Sequence, residues 1–474
     1  MIVKSMKLKM SSLITAIMLA GAVMGCSKSS PNPGNSGGGG TKGGGTTDTT
    51  TAYKDPAQYG TPFTGVPATK DIVMYEVNFR TYSPASFVTV QARLDSIKAL
   101  GVNVIWLMPT YPVGVLKSIN SPYCVKDYNG VNSEFGSLTD LRNLVAQAHA
   151  LGMAVIFDWV ANDTSWDNAW IANKAWYQQD GNGNIISPAA YTDVAALNFN
   201  SAAMRTAMIR AMKYWIFNAN IDGYRCDFAD NIPSNFWTQS LDTLSNIKTH
   251  KLIYLAEGTN TAEITSGFQL GYAFDYYTQL SGVYGGTKSP SALFTSNNTT
   301  EVLPSPGIKL RYTTNHDDAS SDGSTLTVYK SKQGALGAFT LAATMGGVPL
   351  IYDSQEVGYP NPISIFSDVP VDYTANPDLV AGYKQIVAFR AAHEAVKTGA
   401  LGTTYSDANI LAYEKTSGTD DVLIIVNTNS GAQSFNLPAA WQNTNWTNAV
   451  TNSSVALSTQ ASLPAYGYMM LTKK

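Results

Sequence analysis

Charge of either sign is scarce in this 474-residue chain, where lysine and arginine total 31 and aspartate and glutamate total 34. The formal net charge of −3 leaves no basic field that would attract nucleic acid, so no nucleic-acid partner is expected. Cysteine is rarer still, at three residues. Cys124 and Cys226 lie in different segments, and Cys226 falls inside a strand-like run, so we expect two free, buried thiols.

Long apolar runs are also lacking near the start of the chain. The stretch 13–23 follows three lysines and is too short to span a bilayer as a stable helix. It runs into Val-Met-Gly-Cys at 23–26, which resembles the lipobox of bacterial lipoproteins, where the cysteine is lipidated and becomes the new N-terminus. We therefore expect a signal peptide at 1–25, a lipid anchor on Cys26, and a membrane-anchored lipoprotein on the periplasmic face or the cell surface. A plain secretory signal is the alternative.

The segment after this cysteine is dominated by small and polar residues. Residues 27–52 are rich in glycine, serine, threonine and proline, a composition that cannot bury a core. We assign 26–70 as the lipidated cysteine and a flexible linker. Such a tether lets a folded part stand off the membrane.

The whole chain has the 44% hydrophobic content of an ordinary globular protein, and from residue 71 it alternates strand-like and helix-like segments. ALGVNVIWL at 99–107 and ALGMAVIFD at 150–158 are near-copies of one helix–glycine–strand unit. Strands are predicted near 72–79, 102–107, 153–157, 221–227, 252–257, 271–276, 308–314 and 348–352. About eight strand–helix units predict an α/β fold, a (β/α)₈ TIM barrel over 71–397, with an open doubly wound sheet as the alternative.

Two features interrupt or follow the barrel pattern. Residues 159–200 form a long, aromatic-rich connection after the third strand and are predicted to be an inserted loop subdomain. After about residue 398 short strand-like runs alternate with polar turns, so 398–474 is predicted to be a C-terminal antiparallel β-sandwich domain.

Carboxylates end four of the apolar runs: Asp158, Asp227 and Glu257 follow theirs directly, and Asp317 ends RYTTNHD. The carboxyl ends of barrel strands meet at one face, where barrel enzymes build their active sites. Paired carboxylates in one pocket are what cleavage of a glycosidic bond needs. The four endings therefore predict a catalytic pocket rather than four unrelated helix caps.

The surroundings of these carboxylates suggest different roles. Arg225 lies two residues before Asp227 and points to the same side of the strand, so it should keep that carboxylate charged, as a nucleophile must be. Glu257 follows an apolar run, and burial should raise its pKa as a general acid requires. Asp317 can stabilise positive charge in the transition state, and His316 can donate to sugar hydroxyls.

The chain resembles glycoside hydrolase family 13, the α-amylase family, over residues 72 to about 395. The stretches that carry the resemblance are GVNVIWLMP (101–109), SPYCVKDYNGVNSEFGS (121–137), DWVAND (158–163), DGYRCDFAD (222–230), AEG (256–258), TNHD (314–317) and GGVPLIYDSQE (346–356). The resemblance implies a retaining hydrolase that cleaves α-1,4-glucosidic bonds of starch or maltooligosaccharides by double displacement.

The resemblance also implies residue roles. Asp227 would be the nucleophile, Glu257 the acid/base and Asp317 the transition-state stabiliser. The substrate-binding residues would be Tyr123, Asp158, Asp163, Arg225 and His316, with the Tyr123 ring stacked on the sugar at the cleavage site. No cofactor is required for such chemistry.

The chain departs from the family pattern at several positions. Asp163 stands where the third-strand motif usually has a histidine that contacts the sugar, and we expect it to add negative charge near Asp227 and to weaken or alter substrate binding. Asp230 and Asn231 replace basic or histidine residues after the nucleophile strand. The usual ligands of a structural Ca²⁺ are only partly present, with Asn162 among them, so that site is an open question.

Two alternatives to an α-amylase are consistent with these departures. One is a surface glucan-binding protein with a catalytically weakened barrel. The other is a transglycosylase or a different α-glucosidase of the same family. In each case the partner is an α-glucan, together with the membrane through the N-terminal anchor.

Overall fold

The computed structural model describes residues 53–189 and 191–473. The predicted signal peptide, 1–25, and the predicted lipidation of Cys26 lie outside the described residues. Part of the predicted linker, from residue 55 to residue 70, lies against the barrel. There the backbone N–H of Tyr59 donates to the carbonyl of Phe217 at 2.7 Å, and Val66 is buried.

Eight of the first ten described strands close into a parallel barrel. The ten are β1 Met74–Val77, β2 Val104–Leu107, β3 Ala154–Val160, β4 Asp163–Ser165, β5 Val194–Ala196, β6 Gly223–Asp227, β7 Ile253–Ala256, β8 Leu270–Tyr272, β9 Ile308–Tyr312 and β10 Val348–Tyr352. The barrel order is β1-β10-β9-β8-β7-β6-β3-β2, closed between β1 and β2. The predicted (β/α)₈ barrel is confirmed, and the open sheet is excluded.

Side chains alternate between the two faces of each barrel strand, and those that point inward fill the barrel interior. These buried side chains form one core cluster that includes Met74, Val104, Trp106, Ala154, Ile156, Leu255, Leu270, Tyr272, Leu310, Tyr312 and Leu350. The outward-facing residues pack under the helices in a second, larger cluster. Because both faces are buried, the strands read as nearly continuous apolar runs.

The helices follow the strands in alternation. They are α1 Phe87–Gln91, α2 Leu94–Lys98, α3 Leu138–Ala150, α4 Ala202–Ala219, α5 Ser234–Ser245, α6 Thr261–Thr265, α7 Phe274–Tyr284, α8 Ala292–Thr295, α9 His316–Ser321, α10 Thr325–Val328, α11 Lys332–Thr344, α12 Pro377–Ala392 and α13 Glu394–Thr398. Ser137 and Asp140 form a reciprocal capping box at the start of α3.

The strand predicted near 271–276 is wrong in its second half. β8 ends at Tyr272, and α7 begins at Phe274. The buried residues of α7 recur at helical spacing, as in Tyr276, Leu280 and Val283, so their apolar side chains belong to a helix face rather than to a strand.

The connection after β3 forms a small subdomain. Its strands β4 and β5 pair antiparallel, with Asp163 opposite Ala196 and Ser165 opposite Val194. Short 3₁₀ turns at Ala169–Ala172 and Lys174–Trp176 lie between them. This hairpin places Asp163 beside the carboxyl end of the barrel.

The chain beyond α13 is an antiparallel β domain. Its strands are β11 Ala400–Ser406, β12 Ile410–Ser417, β13 Asp420–Asn427, β14 Gln433–Asn436, β15 Thr444–Asn448, β16 Ser454–Leu457, β17 Gln460–Leu463 and β18 Tyr468–Thr472. Six of them form the sheet β11-β12-β13-β18-β15-β16, and β14 pairs with β17. One face of the six-stranded sheet covers a core shared with β14 and β17, as predicted for a layered β domain.

The other face of this sheet packs on the barrel helices. Leu411, Val422 and Ile424 belong to the same core cluster as α11 and α12. The Tyr413 hydroxyl hydrogen-bonds that of Thr344 at the end of α11, at 2.6 Å.

Among the described residues, the two cysteines form no disulfide, and no helix is a candidate membrane span. Cys124 and Cys226 are both free and buried, as predicted. Within the described ranges, no helix combines the length and apolar character needed to cross a membrane.

Candidate active site

The strand ends bring three of the predicted carboxylates together. In the paired strands β3 and β6, Asp158 lies opposite Arg225 and Val160 lies opposite Asp227. Cys226 of β6 lies opposite Ala256 of β7, so Glu257 follows at the same level of the barrel mouth. Asp317 reaches the same mouth from the start of α9.

Arg225 lies at the centre of this group. Its Nη1 is 2.9 Å from Oδ1 of Asp158 and 2.7 Å from Oδ1 of Asp227, and its Nη2 is 3.1 Å from Oε1 of Glu257. The guanidinium is fully buried. One cation therefore joins three carboxyl groups from three neighbouring strands.

Aromatic rings surround the Arg225 guanidinium. Its central carbon lies 5.0 Å from the Trp106 ring centroid, 5.6 Å from Tyr272 and 5.9 Å from Tyr123. Burial opposes the charge, but the carboxylates, led by Asp158, outweigh it and raise the pKa of Arg225 well above its usual value. The cation is thus permanently charged, held by rings and carboxylates together.

Glu257 has the environment of a proton donor. Burial, with the charges of Asp227 and Asp317, outweighs Arg225 and raises the pKa of Glu257 to about 8. The backbone N–H of Phe228 donates to its Oε2 at 2.7 Å and fixes the carboxyl group. Glu257 is therefore protonated at neutral pH. Asp227, in contrast, accepts a hydrogen bond from Nη1 of Arg225 at 2.7 Å.

His316 and Tyr123 form a second hydrogen-bonded group at the mouth. Nδ1 of His316 lies 2.5 Å from Oε1 of Glu76, and Nε2 lies 2.9 Å from the Tyr123 hydroxyl. Burial opposes the histidine's charge, but Asp317 and Glu76 outweigh it and raise the pKa of His316 to about 10. The imidazolium can donate to Tyr123, whose hydroxyl donates to Oδ2 of Asp158 at 3.0 Å.

Asp317 is the most open of the predicted catalytic residues. Its side chain is 57% exposed, and its Oδ2 lies 3.6 Å from Nε2 of His316. Its backbone N–H is capped by the Asn315 side chain at the start of α9. An exposed carboxylate next to the buried pair can approach a bound sugar from the solvent side.

Asp163 does not carry the negative charge that its sequence position suggested. The side chain is buried, and Oδ2 accepts from the Asn162 amide at 3.0 Å. Burial, to which the charges of Asp227 and Asp193 add, raises the pKa of Asp163 to about 8. The expected extra negative charge near Asp227 is therefore absent at neutral pH, because the carboxyl group keeps its proton.

Several site residues were missed at the level of sequence. Glu76, Trp106 and Tyr272 face into the barrel and contact His316 or Arg225. Only Glu76 leaves a signal, as a charged residue within the buried run Met74–Val77.

An aromatic pair at the mouth was also missed. Tyr191 is 43% exposed, and its ring meets the Phe228 ring edge-on at 5.8 Å. Because Phe228 directly follows Asp227, this contact places the Tyr191 ring near the carboxylates, and the charges of Asp317, Asp227 and Glu257 add to burial in raising the pKa of Tyr191. Phe228 has a left-handed backbone with φ of 49°, a strained conformation of the kind found at functional sites.

Among the described residues, no group of three or more histidine, cysteine, aspartate or glutamate side chains is arranged to hold a metal. Asn162, which the resemblance connects to calcium, donates from its side-chain amide to Asp163, and its backbone carbonyl accepts the N–H of Leu197.

Two segments of the chain match known protein families. Residues 86–184 match the alpha amylase catalytic domain, and residues 403–470 match the maltogenic amylase C-terminal domain. The first segment ends within the subdomain after β3, and the second spans most of the C-terminal sheet.

Curated relatives are identical to this chain at about a quarter of the aligned positions. Alpha-amylase MalA of Haloarcula japonica is 24% identical over 395 residues, which are 79% of this chain and 58% of that protein. Alpha-amylase 2 of Dictyoglomus thermophilum is 24% identical over 411 residues, 80% of this chain and 70% of that protein. A cyclomaltodextrinase of Thermoanaerobacter pseudethanolicus is 22% identical over 362 residues, 71% of this chain and 62% of that protein. The chain thus spans less than two thirds of the length of the Haloarcula relative.

Solved structures share the fold. A maltogenic alpha-amylase from Thermotoga neapolitana superposes with a TM-score of 0.76 at 24% identity, covering 85% of this chain and 98% of that one. An alpha-amylase from Lactobacillus plantarum gives 0.77 at 23% identity, with 86% and 99% covered. The matched segments and the names of the relatives agree with the predicted class, an α-amylase-type glycoside hydrolase, and the solved structures share the barrel fold.

Proposed function

We propose that this chain is a retaining α-glucan hydrolase that cleaves α-1,4-glucosidic bonds of starch or maltooligosaccharides. The observation that carries the proposal is the shared guanidinium of Arg225, which joins the Asp227 carboxylate and the protonated Glu257 at one barrel mouth. Contact with one cation keeps these two carboxyl groups close, as the separation of about 5 Å in retaining enzymes requires.

In the first step Asp227 attacks the anomeric carbon. Its Oδ1 is bonded to Arg225, which leaves Oδ2 for the attack. As the glycosidic bond breaks, Glu257 gives its proton to the departing oxygen, and the leaving sugar departs as an alcohol. The product is a glycosyl ester on Asp227, and the exposed carboxylate of Asp317 stabilises the positive charge that develops on the ring.

In the second step Glu257, now ionised, takes a proton from water. The hydroxide formed attacks the anomeric carbon, the ester bond to Asp227 breaks, and both carboxyl groups return to their starting states. We place the sugar on the donor side against the Tyr123 ring, which His316 holds in place by stacking on it and through its Nε2, 2.9 Å from the Tyr123 hydroxyl. Two displacements retain the configuration at the anomeric carbon.

The test is hydrolysis of maltotetraose and soluble starch by the purified protein, with Asp227→Asn as the inactive control. Proton NMR at early times should show the α-anomer of the new reducing end. No activity above the Asp227→Asn control on either glucan would overturn the proposal. Binding of amylose by an inactive wild type would favour the alternative of a glucan-binding protein.

Transfer to a sugar acceptor is a second candidate outcome of the same reaction. The exposed ring of Tyr191 beside Phe228 favours it, because a flat ring near Glu257 can hold a sugar in place of water. Products longer than the maltotetraose substrate, detected by chromatography, would identify transfer.

We further propose that the mature chain is exported and anchored through Cys26. The support is the sequence alone, namely the apolar stretch 13–23 and the lipobox-like residues 23–26. Incorporation of radiolabelled palmitate into the wild type, and its loss in Cys26→Ser, would test the anchor. Release of the unlabelled wild type into the medium would contradict it.

A further inference from the structure

Asp230 links the loops that carry the two central carboxyl groups. It lies three residues after Asp227, in the 3₁₀ turn Ala229–Asn231. Its Oδ2 accepts the backbone N–H of Thr259 at 2.9 Å, and its Oδ1 accepts that of Asn260 at 3.1 Å. Both N–H groups belong to the loop directly after Glu257, so a side chain from the nucleophile's loop holds the loop of the acid/base.

The two hydrogen bonds from Thr259 and Asn260 to Asp230 form a clamp between the loops, and Glu263 packs behind it. Glu263 is buried in α6, and its carboxyl group lies beside that of Asp230, next to Gly258. Burial, followed by the neighbouring Asp230 carboxylate, raises the pKa of Glu263 to about 9, so this group carries a proton at neutral pH. Lys309 lies near both and donates to the Tyr272 carbonyl at 2.7 Å.

Gly258 shows how tightly these carboxyl groups pack on the acid/base loop. A Cβ at this position would lie 2.2 Å from Oε1 of Glu263 and 2.6 Å from Oδ1 of Asp230, far inside contact distance. Two further bonds tie the loops together, since the N–H of Ala229 donates to the Glu257 carbonyl at 3.1 Å and that of Phe228 to the Glu257 carboxyl.

We propose that Asp230, supported by Glu263, is a positioning residue that fixes Glu257 for proton transfer to the leaving group. This inference rests on the proposed hydrolase function. Asp227 is held separately, by Arg225 from its own strand. Loss of the clamp should therefore impair protonation of the leaving oxygen and spare the attack of the nucleophile.

Substrates with different leaving groups separate these two effects. Maltotetraose needs its leaving oxygen protonated, whereas fluoride departs from α-maltosyl fluoride without an acid. For Asp230→Ala we expect kcat/KM on maltotetraose to fall about 10- to 100-fold, the effect of a misplaced catalytic group. On α-maltosyl fluoride, where kcat/KM reports formation of the glycosyl ester, we expect a change under about threefold. Asp230→Asn, which keeps one acceptor oxygen, should fall between Asp230→Ala and the wild type on maltotetraose.

A matched control is Asp180→Ala. Asp180 is exposed and likewise accepts two backbone N–H groups, from Asn182 and Asn184, both at 2.9 Å, in a turn of the inserted subdomain. Asp180→Ala should leave kcat/KM on both substrates unchanged. Equal losses on both substrates in Asp230→Ala and Asp230→Asn, or no loss on either, would overturn the inference. A wild type inactive on both substrates would overturn the proposed function itself.

Discussion

Replacing Asp163 with asparagine should remove a pH-dependent loss of stability from this protein. The side chain is buried beside the site, with one amide, that of Asn162, donating to it. Asparagine has almost the same shape and cannot ionise. The substitution therefore removes the titration of this position while it disturbs the packing little.

The size of the effect follows from the raised pKa. Asp163 titrates near 3.8 in an unfolded chain and near 8 in the folded protein. The folded state thus holds a proton that the unfolded state has lost, and the stability from this group is full below the unfolded pKa and is lost as pH rises through the folded value. The loss is about 1.4 kcal/mol per pH unit, or about 3 kcal/mol between pH 5 and pH 7.

Chemical denaturation at pH 5, 6 and 7, followed by tryptophan fluorescence, measures this difference. The free energy of unfolding of Asp163→Asn should rise relative to the wild type by about 3 kcal/mol across that range. Asp180→Asn is the control. Backbone hydrogen bonds lower the pKa of Asp180, so this residue is ionised between pH 5 and pH 7 in the folded and in the unfolded protein. Parallel curves for wild type and Asp163→Asn would refute the protonated state of Asp163.

Three further predictions concern catalysis, substrate binding and the C-terminal domain. Because burial raises the pKa of Glu257 to about 8, kcat/KM on maltotetraose should fall above about pH 8, and a fall that begins near pH 5 would contradict a protonated acid. Tyr191→Ala should raise KM for maltotetraose about 10-fold, the worth of one aromatic contact, with little change on α-maltosyl fluoride; equal KM values would refute the contact. Tyr413→Phe should lower the free energy of unfolding by about 1 kcal/mol through loss of its bond to Thr344, measured by denaturation, and an unchanged value would show that the bond is not stabilising.

The barrel could be predicted from sequence because its signals are local. Strands buried on both faces read as apolar runs, and the near-repeat at 99–107 and 150–158 shows one unit directly. The boundary at 273–276 was missed because aromatic residues suit strands and buried helix faces alike, and only packing against the barrel decides between them.

The site was predictable in its carboxylates and in the raised pKa of Glu257, but not in the protonation of Asp163. Asp227 and Glu257 stand at strand ends, and strand ends can be located from the pattern. The proton on Asp163 depends on burial by the hairpin of β4 and β5, a three-dimensional effect with no local sequence signal. The contacts of Trp106 and Tyr272 with Arg225 likewise exist only once the barrel has closed.

The buried guanidinium of Arg225 has a consequence for how this site can vary. Three carboxyl groups on three strands share it, so a change at one alters the field felt by the other two. Substitutions at Asp158, Asp227 and Glu257 should be strongly non-additive in double-mutant cycles. A selection that accepts one substitution at a time must then cross poorly active intermediates, whereas a change at the exposed rim, such as Tyr191, alters substrate binding and leaves the shared guanidinium in place.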